Sequence, residues 1–263
     1  MKAFRTYIML CAGTGCVSNG VFKIKEVLEQ ELEKHSLQDE VAIVMTGCNG
    51  FCAQGPLMVV KPEGIFYQFL TPECIPHLVE EHFLKGRPVK DLMYVPPEKE
   101  EVIPELHAIP FFKDQRLIAM RNRGMINPDS IEEYIARDGY RALSKAVGSM
   151  KPEEVIKEIS DSGLRGRGGA GFPTGRKWES RRKDPRTPKY VVCNADEGDP
   201  GAFMDRSIVE ADPHSIIEGM AVGAYAVGAS MGYVYLRMEY PLAVKRMQYA
   251  IEQAKEYGLL GQD

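Results

Sequence analysis

The chain has 263 residues, 44% of them hydrophobic, which is enough apolar material for one large domain or two modest ones. Charged residues make up 27% and nearly cancel to a net charge of -4, so the composition indicates neither a nucleic-acid partner nor a disordered acidic tail. The apolar stretch at residues 7–10 is too short for a signal peptide, and the stretch at 215–231 is too short for membrane insertion. Six cysteines without an export signal favour a cytoplasmic, reducing location and ligand roles rather than disulfides.

The N-terminal part of the sequence has the pattern of a small α/β domain. Apolar runs predict strands at 7–10, 41–45, 57–60 and 65–69. Apolar side chains at helical spacing predict a helix at 20–34, and Thr71-Pro72-Glu73 opens another that ends near Leu84. The order β-α-β-β-β-α therefore predicts one α/β domain over residues 1–86.

A proline-rich segment follows at residues 87–112. It contains five prolines and a charge cluster at 98–101, so we expect a linker without regular structure. Residues 113–263 then show the pattern of a second domain. Helix starts are predicted at 128–130 and 151–154, buried strands at 189–193 and 233–236, and helices at 215–227 and 241–257. This alternation predicts an α/β domain.

Four of the six cysteines form two close pairs. Cys11 and Cys16 are separated by four residues, and Cys48 and Cys52 by three. Each pair follows a predicted strand in a loop of small residues, whose backbone N–H groups can turn toward metal-bound sulfur. The spacing favours a 2Fe-2S cluster only slightly over a structural zinc site, which stays open as the alternative. Neither Cys74 nor Cys193 is expected to be a ligand, because a lone cysteine is usually a small buried hydrophobe.

Residues 163–175 are rich in glycine and are flanked by basic side chains. They contain Gly166-x-Gly168-x-x-Gly171, which formally matches the dinucleotide fingerprint. Residues 153–160 before this loop have a helical pattern where a standard Rossmann unit has a strand, and the lysine spacing excludes a Walker A loop. Bare N–H groups beside basic residues predict a phosphate-binding surface, and a flexible solvated loop is the alternative.

An acidic and amide-rich turn follows the strand predicted at 189–193. Asn194, Asp196, Glu197 and Asp199 stand where a strand ends, and such groups can hold ribityl or ribose hydroxyls. A turn with solvated carboxylates is the alternative.

Two parts of the sequence resemble known families. The Cys-x4-Cys and Cys-x3-Cys pairs after strands, within residues 7–84, resemble the thioredoxin-like 2Fe-2S ferredoxins, with all four ligand positions present. Residues 163–178, 194–206 and 237–240 resemble, in the same order, the flavin- and NADH-binding subunit of respiratory complex I. The fusion of the two looks most like the β subunit of electron-bifurcating or NADP-reducing FeFe hydrogenases, and NAD-dependent formate dehydrogenases carry similar subunits.

The resemblance implies a fold and a set of cofactors. The expected fold is a thioredoxin-like ferredoxin domain followed by the N-terminal part of a Rossmann-like FMN/NAD-binding α/β domain. The expected cofactors are a 2Fe-2S cluster on Cys11, Cys16, Cys48 and Cys52, together with FMN and NAD(H) or NADP(H). Phe172 corresponds to the aromatic residue that, in the family, stacks on the nicotinamide nucleotide. The residues expected to contact flavin or nucleotide lie in the glycine loop and in the later motifs: Gly166, Arg167, Gly168, Gly169, Ala170, Gly171, Phe172, Lys177, Asn194, Asp196, Glu197, Asp199, Glu239 and Tyr240.

The sequence departs from the family at three places. Asp199 stands where the respiratory enzymes usually carry Glu, and Met238 replaces a Gly, so the choice between NAD and NADP is left open. Relatives continue beyond the position of Asp263 into further domains, one of which carries a 4Fe-4S cluster. We therefore expect a fragment, or a chain completed by another polypeptide, that alone holds its cluster but binds FMN weakly or not at all.

The resemblance also implies a function. It is that of an electron-input subunit, in which hydride exchange between NAD(P)H and FMN precedes one-electron transfer to iron-sulfur clusters. The implied partners are iron-sulfur and catalytic subunits of a hydrogenase or dehydrogenase complex. The alternative is a non-catalytic ferredoxin-like or zinc-stabilised subunit that serves docking or assembly.

Overall fold

The computed structural model describes residues 4–97, 100–199 and 201–261. Residues 98 and 99 of the predicted charge cluster lie outside these ranges. The chain divides into two compact units, the first made of Met1–Pro128 with Glu210–Asp212, and the second of Asp129–Val209 with Pro213–Asp263. Within the described ranges, no helix combines the length and the apolar character needed to span a membrane.

The described part of the first unit is built on a four-stranded sheet in the order β2-β1-β3-β4. Its strands are β1 Thr6–Cys11, β2 Val41–Thr46, β3 Met58–Lys61 and β4 Ile65–Tyr67. β1 pairs in parallel with β2 and antiparallel with β3, which forms a hairpin with β4. The predicted strands are confirmed. They could be predicted because the buried strands of such a sheet are apolar runs between turn residues.

Three helices of the first unit precede its proline-rich segment in the described residues: α1 Thr14–Ser18, α2 Val21–Lys34 and α3 Ile75–Leu78, which continues as a π-helical turn at Val79–Leu84. Helix α2 buries Val21, Ile24, Leu28 and Leu32 at helical spacing. Burial of each such side chain adds about 1.5–3 kcal/mol to the free energy of unfolding. Helix α1 was not predicted, because five residues are too few to show a helical period.

The proline-rich segment 87–112 packs onto the sheet. Val89, Met93, Tyr94 and Ile109 belong to the buried core of the first unit. The backbone N–H of Phe66 donates to Pro104 O at 2.7 Å, and that of Gln68 donates to Leu92 O at 2.8 Å. The short helix α4 Pro110–Lys113 ends the segment. The structure thus differs from the expected linker, because apolar side chains between the prolines carry the segment into the core.

The second unit alternates helices and strands, which confirms the predicted α/β class. Its elements are α5 Ile131–Ile135, α6 Arg141–Ser149, α7 Pro152–Asp161, α8 Thr174–Lys183, β5 Tyr190–Ala195, α9 Met204–Ala211, α10 Pro213–Val227, β6 Met231–Leu236 and α11 Pro241–Glu256. The last two residues of α9 are counted with the first unit. In the described residues, β5 and β6 form a parallel two-stranded sheet.

One face of the β5–β6 sheet is exposed. Tyr190 and Val192 on β5 are 51% and 61% exposed, and Tyr233 and Tyr235 on β6 are 52% and 60% exposed. The opposite face carries half-buried residues and packs against α10. Parallel sheets are usually covered on both faces. The prediction of buried strands is therefore wrong for one face in this chain.

Helix α10 organises the core of the second unit. A Cβ on Gly223 would lie 3.3 Å from the Trp178 indole of α8, so the glycine allows close packing of the two helices. Glu218, which interrupts the apolar stretch, is only 6% exposed. Its carboxylate accepts hydrogen bonds from the backbone N–H groups of Ala142 and Leu143 at 2.9 and 3.1 Å. Glu218 thus caps the first turn of α6.

Candidate functional site

The four paired cysteines lie in the first unit, where β1, α1 and the loop after β2 meet. Cys11, Cys16 and Cys48 are at most 2% exposed, and Cys52 is half-buried. The Sγ atoms of Cys48 and Cys52 are 3.9 Å apart. Two thiolates bound tetrahedrally to one metal ion at about 2.3 Å would lie about 3.8 Å apart. This pair is therefore spaced as two ligands of one metal ion.

Glycines allow the cysteine loops to approach each other. A Cβ on Gly13 would lie 2.5 Å from Cys48 Cβ, and a Cβ on Gly55 would lie 2.9 Å from Cys16 Sγ. The sequence suggested that small residues expose backbone N–H groups to sulfur. The structure adds that a side chain at either glycine would collide with one of the paired cysteines. The role of Gly55 was missed because it lies outside both pairs.

The thiols share hydrogen bonds in a buried site. The pKa of Cys11 is raised well above its usual value, mainly because its thiol donates to Cys16 and Cys48. The pKa of Cys16 is lowered, mainly by the hydrogen bond from Cys11 and in part by the Leu57 backbone. Gly50 N donates to Cys48 Sγ at 3.3 Å. Donors directed at sulfur stabilise the thiolate, which is the form that binds metal.

The Asn49 side chain fits a bound cluster. It is 3% exposed, and among the described residues its Nδ2 is buried without a hydrogen-bond partner. A buried donor without an acceptor costs about 1–3 kcal/mol, and cluster sulfur would supply an acceptor. Across the described ranges no three His, Cys, Asp or Glu side chains converge as ligands of a single metal ion. A 2Fe-2S cluster divides four thiolates between its two irons, and the site offers four free thiols.

The two remaining cysteines, Cys74 and Cys193, are not members of the close pairs. Cys74 Sγ donates to Thr71 O at 3.1 Å within its own turn. Burial raises the pKa of Cys193, so its thiol stays neutral. The Cys74 contact and the neutral Cys193 thiol both suit the expectation that neither cysteine is a ligand.

In the second unit, the glycine loop runs from helix α7 to helix α8. The helix before it is the predicted one, so the loop indeed lacks the strand of a standard Rossmann unit. Gly166 N donates to Phe172 O at 2.9 Å, and Thr174 N donates to Leu164 O at 2.9 Å. These bonds close the loop on itself and place it directly before the N-terminus of α8, where backbone N–H groups favour anions.

The tip of the loop has room for a ligand. A Cβ on Gly168 or on Gly169 would meet no atom within 4 Å. Gly169 and Gly171 have φ angles of +99° and +60°, which explains why they are glycines. Gly168 has no such angle and no close neighbour, so nothing within the described protein requires a glycine there.

The side chains around the tip of the loop suit a polar ligand. Arg167 and Ala170 are exposed, as is Lys177 in the first turn of α8. Phe172 is 51% exposed, and the Arg176 guanidinium lies 5.8 Å from its ring centroid. An exposed aromatic ring beside bare N–H groups and basic side chains suits a nucleotide.

The carboxyl ends of β5 and β6 bring polar side chains together. Asn194 pairs in register with Tyr235, so Asp196 and Arg237 leave the sheet side by side. Arg237 Nε lies 3.8 Å from Asp196 Oδ1, and Arg237 Nη2 lies 3.2 Å from Glu239 Oε1. Arg237 was not among the predicted contact residues. The signal for it is its place directly after a strand parallel to β5.

Glu197 and Tyr240 are engaged inside the protein. The Glu197 carboxylate is buried and accepts hydrogen bonds from the backbone N–H groups of Met204 and Asp205 at 2.6 and 3.2 Å, which caps α9. The Tyr240 hydroxyl donates to Ala202 O at 3.4 Å. Their expected contact with flavin remains a prediction.

A cleft of about 310 Å³ lies at this end of the sheet. Its lining includes Asp199, Phe203, Arg206, Arg237, Glu239 and Tyr240. That volume is at the lower end for small-molecule sites. Among the described residues, the glycine loop is not part of the lining of this cleft. The residues predicted to contact flavin or nucleotide therefore form two groups, one in the glycine loop and one at the carboxyl end of the sheet.

Comparisons with known proteins match both units. Residues 2–82 match the family described as thioredoxin-like [2Fe-2S] ferredoxin, and residues 159–260 match the Nuo51 FMN-binding domain. The NADP-reducing hydrogenase subunit HndC of Solidesulfovibrio fructosivorans is 57% identical over 151 residues, which are 57% of this chain and 30% of that protein. An NADH-quinone oxidoreductase subunit of Rhizobium meliloti (strain 1021), designated F 2, is 52% identical over 144 residues, 55% of this chain and 34% of that protein.

A third relative is the NADH-quinone oxidoreductase subunit of Escherichia coli (strain K12) that is designated F. It is 42% identical over 147 residues, which are 56% of this chain and 33% of that protein. The chain spans about a third of the length of the curated relatives it matches. One chain thus carries two similarities, to the thioredoxin-like [2Fe-2S] ferredoxins over residues 2–82 and to the Nuo51 FMN-binding domain over residues 159–260.

Proposed function

We propose that this chain is the electron-input part of an NAD(P)-linked iron-sulfur flavoprotein oxidoreductase. The observation that carries the proposal is that one chain joins a buried four-thiol site to a glycine loop with open space over its backbone. When bound, the flavin supplies hydride exchange with a nicotinamide and the passage from two-electron to one-electron steps.

In the first unit, the cysteines and their donors hold the 2Fe-2S cluster. Cys11, Cys16, Cys48 and Cys52 are the ligands, and burial keeps water from three of them. The backbone N–H of Gly50 points at Cys48 Sγ and stabilises its negative charge. These residues tune and shield the cluster rather than react.

In the second unit, the glycine loop binds phosphate of the flavin or of the nucleotide. Residues 167–171 offer bare N–H groups before α8, and Lys177 adds positive charge in the first turn of that helix. Phe172 provides a face on which the nicotinamide nucleotide stacks. Hydride transfer between two bound cofactors depends on positioning, so no residue is assigned as a general acid or base.

Residues at the carboxyl edge of the sheet hold hydroxyl groups. Asn194, Asp196 and Asp199 are exposed there and can accept hydrogen bonds from ribityl or ribose. Glu239 lies 3.2 Å from Arg237, which fixes its orientation beside the cleft.

The natural partners are iron-sulfur and catalytic subunits of a larger complex. A hydrogenase complex is our first candidate, supported by the 57% identity to HndC, and an NADH-quinone oxidoreductase is the second. All six cysteines lie within the described residues and none forms a disulfide, which supports a cytoplasmic location.

The test measures both cofactors in anaerobically prepared protein. The 263-residue chain should contain the iron and acid-labile sulfide of one 2Fe-2S cluster, and zinc without iron would refute this. The native assembly should contain one FMN per chain and oxidise NADH or NADPH with a one-electron acceptor. An assembly that carries this chain but neither FMN nor pyridine-nucleotide oxidation would support a docking subunit instead.

A further inference from the structure

The turn that carries Arg123 packs against the loop between Cys48 and Cys52. A Cβ on Gly124 would lie 2.3 Å from Asn49 Oδ1, and a Cβ on Gly50 would lie 3.1 Å from Arg123 Nη1. Arg123 belongs to the first unit but lies beyond residues 2–82, the part that matches the ferredoxin family. A segment outside the matched region therefore lines the cysteine site.

Several contacts fix the Arg123 guanidinium in place. Its Nη2 donates to Gln115 Oε1 at 3.3 Å, and its Cζ lies 5.7 Å from the ring centroid of Phe112. Phe112 packs edge-on against Phe51, the residue before Cys52, with ring centroids 5.4 Å apart. A planar group held by a hydrogen bond and an aromatic face has little freedom to turn away.

The Arg123 charge acts on the sulfur atoms. Burial lowers the pKa of the guanidinium, whereas Cys48 and Cys11, when they carry negative charge, raise it. Arginine stays protonated in proteins, and salt screens a half-buried charge less than an exposed one. Reduction adds one negative charge to a cluster, so a fixed positive charge beside its ligands stabilises the reduced form.

We propose that Arg123 raises the reduction potential of the 2Fe-2S cluster held by Cys11, Cys16, Cys48 and Cys52. The inference rests on the proposed function, because it requires these four cysteines to bind the cluster. Arg123 does not ligate iron. It acts through space on Cys48 and makes the cluster a better electron acceptor.

The test is a redox titration of the full chain, followed by electron paramagnetic resonance. Arg123→Gln should lower the midpoint potential, with at least a threefold loss in the equilibrium constant for one-electron reduction, or about 28 mV. Arg123→Lys keeps the charge and should retain most of the potential. The matched control is Arg121→Gln, which removes an equal charge from an exposed position two residues away and should leave the potential unchanged.

A second variant keeps the test decisive if Arg123→Gln fails to take up iron. Gln115→Glu places a carboxylate beside the Arg123 guanidinium and offsets its charge without touching the cysteine loop. It should lower the potential as well. Unchanged potentials in the loaded variants, or an equal fall in Arg121→Gln, would overturn the inference. A wild-type chain without a 2Fe-2S cluster would overturn the proposed function itself, before any potential is compared.

Discussion

Replacing Gly168 by valine tests the flavin and nucleotide site without disturbing the fold. A Cβ there meets no atom within 4 Å, and the residue does not have a left-handed φ. Replacing a glycine at a tolerant position restricts the unfolded chain and stabilises the protein by about 0.4–1 kcal/mol. We therefore expect an unchanged or slightly higher free energy of unfolding. FMN or nucleotide should bind at least tenfold more weakly, a loss of about 1.4 kcal/mol.

Gly175→Ala is the matched control, since this glycine follows shortly after and is buried. Its Cβ would lie 2.0 Å from Ser160 Oγ and 2.8 Å from Ser160 Cα. The Cα belongs to helix α7 and cannot move aside cheaply, so overpacking should cost about 1–3 kcal/mol. For a domain of about 150–250 residues this lowers the melting temperature by roughly 2–12 °C.

The two variants are compared by thermal unfolding and by titration with FMN and NAD(P)H in the native assembly. We expect a loss of binding without a loss of stability for Gly168→Val, and a loss of stability for Gly175→Ala. Undiminished affinity for both ligands in Gly168→Val would refute the loop assignment. A fall in its melting temperature as large as that of Gly175→Ala would show that the space over Gly168 is not open.

Three further predictions concern the cluster, pH and a helix cap. Cys48→Ser should lose iron and the visible and paramagnetic spectra of the cluster, whereas Cys74→Ser should keep them; full iron content in the former would contradict the ligand assignment. Burial lowers the pKa of His82 in the folded protein. As the pH falls below about 6.5, the unfolded chain therefore binds this proton before the folded chain does. The free energy of unfolding of the first unit then decreases by at most about 1.4 kcal/mol per pH unit. Urea unfolding at several pH values should show this slope in wild type and in the exposed-site variant His107→Gln, and less of it in His82→Gln. Glu218→Ala removes the acceptor for two backbone N–H groups and should cost about 2–4 kcal/mol in chemical denaturation; a cost below about 0.5 kcal/mol would exclude the capping role.

The sheet of the first unit could be predicted from the sequence because a buried strand requires a run of apolar residues between turn residues. Strands β1 and β3 are largely buried, and each consists mainly of consecutive apolar residues. The segment 87–112 could not be predicted in this way. Val89, Met93 and Tyr94 are buried in the core of the first unit, and Met93 pairs with Tyr67 of β4; such contacts between distant residues leave no local period.

The same limit applies to the candidate site. The cysteine pairs were visible because ligand spacing is local, whereas Arg123 stands far from Cys52 in the sequence and has no motif of its own. Glu197 was predicted to contact flavin, and its bonds to the first turn of α9 could not be read from the residues alone. Parallel pairing placed Arg237 beside Asp196, and this depends on the register of two strands that are distant in the sequence.

Trp178 gives the protein a local optical probe. It is the only tryptophan in the chain, and it lies in the helix that begins at the end of the glycine loop, packed near Gly223. Selectively excited indole emission therefore comes from one place in the second unit and from none in the first. Unfolding of the flavin-type unit can thus be followed in the intact chain without a label. A change in emission when a nucleotide is added would report on the surroundings of that single helix.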